Sequence, residues 1–321
     1  MRFLFGVMVL VLVACPALAA PTLDGTKDAE YGAPVAVQTV ETQFGDSTGG
    51  ITGGGELDAA YAIADGNRLY LMLTGNIEPN FNKVSVFIDS KPGGENVLSG
   101  GPEYDFNNVS QNFGGLTFDS GFEADYHIFG RWGGGAFEVD IVDRAGGTCT
   151  NNCSGDFGAA SSGGGTPVQS GTAFGNGTGT TSYLSSPLEF GFDNNNSAGV
   201  IGGTAAANQA AAAAVTTGLE ISVALADIGN PGVGDVIKIH AVYGNGDNNF
   251  HSNQTLAGLP APQGNLGGDG AGAFTGNLAG INFNNFAGLQ YFEVTVVPEP
   301  TSLVMFGLGL IGLVVCGPRR Q

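Results

Sequence analysis

The chain has 321 residues, 56 of them glycine, and its 29 acidic residues against 10 basic ones give a net charge of −19. A polyanion of this kind repels nucleic-acid phosphates and acidic lipid headgroups, so neither is expected as a partner. At 42% hydrophobic, with 21 Phe, 8 Tyr and 1 Trp, it can build a core and is not a disordered polyelectrolyte, and its glycines follow no collagen period.

Residues 1–19 read as a signal peptide: Arg2, an apolar run from Phe3 to Val13, and a small-residue site at Ala17-Leu18-Ala19 before Ala20. The run is shorter than the roughly 20 residues a membrane span needs. Leu12-Val13-Ala14-Cys15 offers a rival lipobox, against which Pro16 follows the cysteine at once. Residues 20–296 then form one domain with 28 acidic and 7 basic residues.

Period-two alternation predicts about ten strands, in order Val35–Phe44, Glu56–Ala64, Asn67–Leu73, Lys83–Asp89, Asp125–Trp132, Ala136–Val142, Leu188–Phe192, Leu219–Leu225, Val236–Tyr243 and Leu289–Val296. Asp65-Gly66 marks a hairpin between the second and third. Residues 145–182, rich in Gly, Ser and Asn, predict a long loop, and the Cys149–Cys153 pair within it suggests a local disulfide in an exported protein. An Ala-rich helix is predicted over Ala205–Val215, within an insert at 204–217, with Thr204 as its N-cap and Gly218 as its stop. Many short strands with glycine turns make the fold class all-β, an antiparallel, jelly-roll-like β-sandwich with that one short helix. After it, an apolar run from Leu303 to Cys316 predicts a C-terminal hydrophobic helix, the chain's one contact with membrane. The glycines from Gly307 to Gly312 within it suit helix packing rather than dinucleotide binding.

Catalytic chemistry is hard to assemble from these residues. Gly45-Asp46-Ser47-Thr48-Gly49 matches a nucleophile elbow in letters, but further glycines follow where a helix is needed. His127 and His240 fall in apolar strands without metal-ligand spacing, and Glu138 and Asp140 read as solvated strand-face charges. Met72 reads as core rather than as an axial haem ligand. Sugar binding asks for a flat aromatic with amides and carboxylates around it. Trp132, before Gly133-Gly134-Gly135, is either such a platform or a half-buried anchor. Asn245, Asp247, Asn248, Phe250 and His251 form a polar loop that could bind sugar or offer oxygens to Ca²⁺, and Asp193 with the asparagines after it is a second such run. Asp193 and Asp247 are thus the Ca²⁺ candidates, solvated turns are the alternative, and no other cofactor is expected.

Leu23-Asp24-Gly25, the Leu69-Tyr70-Leu71 strand, Val86-Phe87-Ile88-Asp89 and Gly218-Leu219-Glu220-Ile221 occur in an order that resembles the family 9 carbohydrate-binding modules and DOMON-like domains. That resemblance implies a β-sandwich with a sugar or haem ligand. Pro298-Glu299-Pro300, the apolar run and Arg319-Arg320 resemble the PEP-CTERM sorting signal, here over 297–321. This resemblance implies an exosortase-like sorting enzyme as partner, export through the inner membrane, and a cell-surface or matrix location. The expectation is an exported, non-enzymatic protein that interacts with extracellular polysaccharide. The alternatives are a purely structural surface or biofilm protein and a secreted hydrolase, which would need paired carboxylates or a Ser–His pair in a cleft.

Overall fold

The computed structural model of the chain describes residues 19–45, 55–100, 106–144, 148–149, 159–160, 168–173 and 184–298. Strands follow in chain order as β1 (Ala36–Val37), β2 (Glu56–Ala64), β3 (Arg68–Asn76), β4 (Lys83–Asp89), β5 (Tyr126–Gly133), β6 (Ala136–Asp143) and β7 (Thr148–Cys149). They continue as β8 (Ala159–Ala160), β9 (Val168–Ala173), β10 (Leu188–Asp193), β11 (Gly218–Ala224), β12 (Val236–Gly244), β13 (His251–Leu256) and β14 (Phe292–Thr295). The β2–β3 turn forms because Asp65 Oδ1 accepts the N–H groups of Asn67 (3.2 Å) and Arg68 (3.0 Å) while Gly66 takes the left-handed conformation.

Two antiparallel sheets result. The first runs β1-β2-β3-β11-β10-β9; the second runs β13-β12-β4-β5-β6-β7, with β14 also on β12 and β8 also on β6. Alternation sends Leu69, Leu71 and Leu73 of β3, Leu219, Ile221 and Val223 of β11, and Phe190 and Phe192 of β10 into the space between the sheets. They meet Val84, Val86 and Ile88 of β4, Phe137, Val139 and Ile141 of β6, and Ile237 and Ile239 of β12.

The outer face of the second sheet is also dry. Register sets His240, Phe87 and His127 side by side across β12, β4 and β5. Residues 95–100 with 106–124, and the long segment 257–291, lie over this row and bring Leu98, Phe113, Leu116, Phe118 and Phe122 together with Leu259, Leu266, Leu278, Ile281 and Phe283. Backbone bonds join the two segments: Thr117 N–H donates to the Ile281 carbonyl and Phe283 N–H to the Thr117 carbonyl, both 2.9 Å. The first sheet has a smaller cover, where Tyr31, Ala59, Tyr61, Tyr70 and Met72 pack together. The N-terminal segment is tied there by Glu220 Oε2, which accepts the N–H groups of Asp24 (3.0 Å) and Gly25 (2.8 Å).

Most predicted strands lie where the alternation puts them, with Glu56–Ala64 and Lys83–Asp89 unchanged. Four expectations are corrected. The Ala-rich helix is a single turn, α1 (Gln209–Ala212), capped by Asn208 rather than Thr204. Residues 205–207 stay extended because Glu41 N–H donates to the Ala205 carbonyl and Ala207 N–H to the Thr39 carbonyl, and a bridge pairs Val40 with Ala206. The predicted strand Val35–Phe44 is accordingly reduced to β1 and isolated bridges. The segment 145–182 is not all loop, since β7, β8 and β9 fall in it. The polar run after β12 is itself a strand, β13.

Among the described residues no helix is long and apolar enough to cross a membrane. The expected hydrophobic helix at Leu303–Cys316, nearly all of the signal peptide, Ser47 and Cys153 lie outside the described residues.

Candidate functional site

Trp132 is 8% exposed and sits in the core between the sheets, edge-on to Phe192 at 5.6 Å between ring centroids. It occupies the anchor position and not an open platform, because alternation along β5 turns it inward. The polar loop spends its groups on itself. Asn245 Oδ1 accepts the N–H groups of Asn249 and Phe250, both at 3.0 Å, and Asn245 Nδ2 donates to Asn249 Oδ1 at 2.6 Å. Asn248 is buried, the Asp247 carbonyl accepts Asn112 Nδ2 (2.8 Å), and Phe250 stacks on Phe44. His251 is buried against Phe113, and burial pushes its pKa down to about 3. Asn245, Asp247, Asn248, Phe250 and His251 are therefore together in space, as the spacing suggests, and they close a turn and a strand start in which Asn248 and His251 are buried while Asp247 is exposed. Asp193 Oδ1 caps the Asn195 N–H (2.9 Å), and Glu138 is ion-paired with Arg131 (2.5 Å). Cys149 pairs with Val142 through β7 and β6.

An aromatic missed by the sequence reading does face outward. Phe81, in the loop between β3 and β4, is 42% exposed and holds a left-handed backbone at φ 69°. Its N–H donates to the Trp132 carbonyl (2.9 Å), which fixes the loop to the end of β5. The ring lies over Gly133, where a Cβ would stand 2.3 Å from it, and the Arg131 guanidinium lies 5.1 Å from its centroid. Asn80 and Asn82 both donate Nδ2 to Glu78 Oε2 at 3.2 Å. An apolar ring thus stands beside amides, a carboxylate and a guanidinium that are already held in place.

A second constellation lies where β2 is bulged. Register shifts between Leu57 and Ala59, so Leu57 and Ala60 face the core while Glu56 and Asp58 both turn to the outer side. Both carboxylates are fully buried. The Asn196 side chain donates to Glu56 Oε1 (2.9 Å) and Asp58 Oδ2 (3.2 Å), and the Val200 N–H donates to Asp58 Oδ1 (2.8 Å). Gly199 lets the loop close, since a Cβ there would stand 2.0 Å from Asp58 Oδ1. Asn76, directly opposite Glu56 in register, donates Nδ2 to the Asn196 carbonyl at 3.1 Å. Burial, with Asp58 and then Glu41 as like charges, pushes Glu56 up to about 10; burial and Glu41 push Asp58 up to about 8. Among the described residues no three His, Cys, Asp or Glu side chains form a ready metal-ligand set. The pairing of Glu56 with Asn76 and Asn196 was beyond the sequence reading, because the partners sit 20 and 140 residues away.

Residues 296–320 match the PEP-CTERM protein-sorting motif. No curated protein and no solved structure matches the chain. The likeness of the sandwich to sugar-binding modules therefore rests on the residues that suggested it. Pro298, the first residue of Pro298-Glu299-Pro300, is exposed just after Val296, which bridges to Ala64 at the end of β2. The motif is of the kind that exosortase-like enzymes recognise, and it marks the chain as an exported protein sorted to the cell surface.

Proposed function

We propose that the sandwich is a non-catalytic module displayed at the cell surface, and that it engages extracellular polysaccharide through the face around Phe81. The observation that carries this reading is an exposed aromatic ring held in a left-handed backbone conformation with a fixed polar rim. A pyranose presents a C–H face that packs on such a ring, and its hydroxyls suit the Asn80 and Asn82 amides alongside, which the buried Glu78 carboxylate holds in place. The non-catalytic part is supported by how the candidate groups are spent: Glu138 on Arg131, and His240 and His251 on a dry aromatic layer.

The test is binding of the purified protein to a panel of soluble and insoluble polysaccharides. Phe81→Ala is expected to weaken saturable binding at least tenfold, about 1.4 kcal/mol, while leaving the unfolding midpoint nearly unchanged because the ring is exposed. Binding that survives Phe81→Ala would move the site elsewhere. No binding to any of them would favour the structural alternative, a hydrated acidic spacer with 28 acidic and 7 basic residues over 20–296.

A further inference from the structure

We infer that the β2 bulge is a cation site in which Glu56, Asp58 and Asn76, with Glu41 nearby, take a hard divalent ion of the Ca²⁺ type. Two observations carry this independently. The first is the pair of fully buried carboxylates on one strand, with no basic side chain among the groups that perturb either of them. The second is a set of orphaned acceptors. Glu56 Oε2 and Asn76 Oδ1 are both buried without a hydrogen-bond partner, and Asn76 is itself 0% exposed.

Asn76 is neutral and lies on the neighbouring strand, opposite Glu56, with its Nδ2 already given to Asn196. Its oxygen is left with nothing to accept. Asn196 and Val200 already donate to Glu56 Oε1 and to both Asp58 oxygens, but the two orphaned acceptors, Glu56 Oε2 and Asn76 Oδ1, have no donor and suit a positive charge, since leaving such groups unsatisfied is costly. A carboxylate pair plus an amide oxygen is the ligand chemistry of Ca²⁺, which takes oxygen ligands at 6–8 positions and tolerates irregular geometry. The side chains supply the charge, and backbone carbonyls or water complete the shell. Access runs through the loop over the pair, in which Asn195, Ser197 and Ala198 are exposed.

The site differs from the sequence candidates. Asp193 and Asp247 have no part in it, although Asn196, three residues after Asp193, closes it.

The experiment is calorimetric titration of chelator-stripped full-length protein with Ca²⁺, and separately with Mg²⁺ and Na⁺, at pH 7. Saturable Ca²⁺ binding with a rise in melting temperature is expected, with Mg²⁺ at least tenfold weaker. Glu56→Gln should weaken Ca²⁺ at least tenfold, while Asp193→Asn and Asp247→Asn leave it unchanged. Asn76→Asp is a second variant that does not remove a ligand: it should tighten Ca²⁺ several-fold and lower the melting temperature of the stripped protein. If the pair only shares a proton, Ca²⁺ will not shift the melting temperature and Glu56→Gln will be neutral or stabilising. That outcome overturns the inference, as does Ca²⁺ binding that neither Glu56→Gln nor Asn76→Asp alters.

Discussion

Phe87→Ala is expected to cost about 3–5 kcal/mol in a urea titration, the range for deleting a buried aromatic that leaves a cavity. Phe87 is 0% exposed and points away from the inter-sheet core, into the outer layer. Its ring stacks on His127 at 4.2 Å and meets Phe113 at 5.4 Å and Phe118 at 5.1 Å. Those partners come from residues 106–124 and from β5, so one ring ties the cover to the sheet. The cavity cannot collapse easily, because the cover is held to segment 257–291 by backbone bonds at Thr117. Phe137→Ala, in the core between the sheets, should cost a similar amount by a different route. Hydrogen exchange separates the two. Phe87→Ala should raise exchange first in 106–124 and 257–291, whereas Phe137→Ala should raise it across β5, β6 and β10. Equal protection of the cover in both variants would show that the outer layer is not a separable unit.

This layer also marks the limit of what the sequence discloses. Strands β2, β4, β6 and β12 were legible because Val, Ile and Leu alternate with other residues and Gly or Asp punctuates the ends. The cover was not, since its Phe and Leu residues are spread through Gly- and Asn-rich sequence with neither helical nor strand period. One sign was available: Phe87, Phe129 and Val242 are large apolar residues at outward positions, as expected of a sheet buried on both faces. Strand β13 was hidden because His251-Ser252-Asn253-Gln254-Thr255 reads as solvent-facing, yet each residue is buried. Its amides are satisfied at long range, Gln254 Oε1 by Gln38 Nε2 and Asn253 Nδ2 by the Glu41 and Gln263 carbonyls. The Ala-rich segment misled in the opposite sense, as backbone pairing with residues 39–41 overrode helix propensity. Of the candidate site, the sequence located Trp132, with a half-buried anchor as one of its two readings, and the Asn245 loop, but not the hydrogen bonds within that turn that occupy its amides. Phe81 was passed over because a single Phe between two asparagines carries no periodic signal.

The pH dependence of stability should differ in shape with and without a cation. Burial lowers the pKa of His240 to about 4 and of His251 to about 3, and burial with the Lys83 and His251 charges lowers His127 well below its ordinary value. The unfolded chain protonates these imidazoles below about 6.5 while the folded one does not, so on their account stability falls as the pH drops from 6.5. Raised carboxyls act with the opposite sign. Their stabilisation is whole below their ordinary values near 4 and is lost as the pH climbs, through about 7 for Glu220, about 8 for Asp58 and about 10 for Glu56. Each unmatched proton is worth about 1.4 kcal/mol per pH unit. Between 4.5 and 6.5 the three histidines oppose Glu220, Asp58 and Glu56, and Asp119 and Asp125, which burial also raises, act in the carboxyls' sense, so the urea midpoint of chelator-treated protein should change little there. Below that span the histidines dominate, and above it the carboxyls do, so stability should fall on both sides. Ca²⁺ would ionise Glu56 and Asp58 in the folded state and take them out of the balance. The midpoint should then climb with pH between 4.5 and 6.5, and the alkaline loss should shrink to the part due to Glu220. A midpoint that rises between pH 7 and 9 in chelator would contradict the raised carboxyls. Curves that coincide with and without Ca²⁺ would leave the burial argument standing and remove the cation from the bulge.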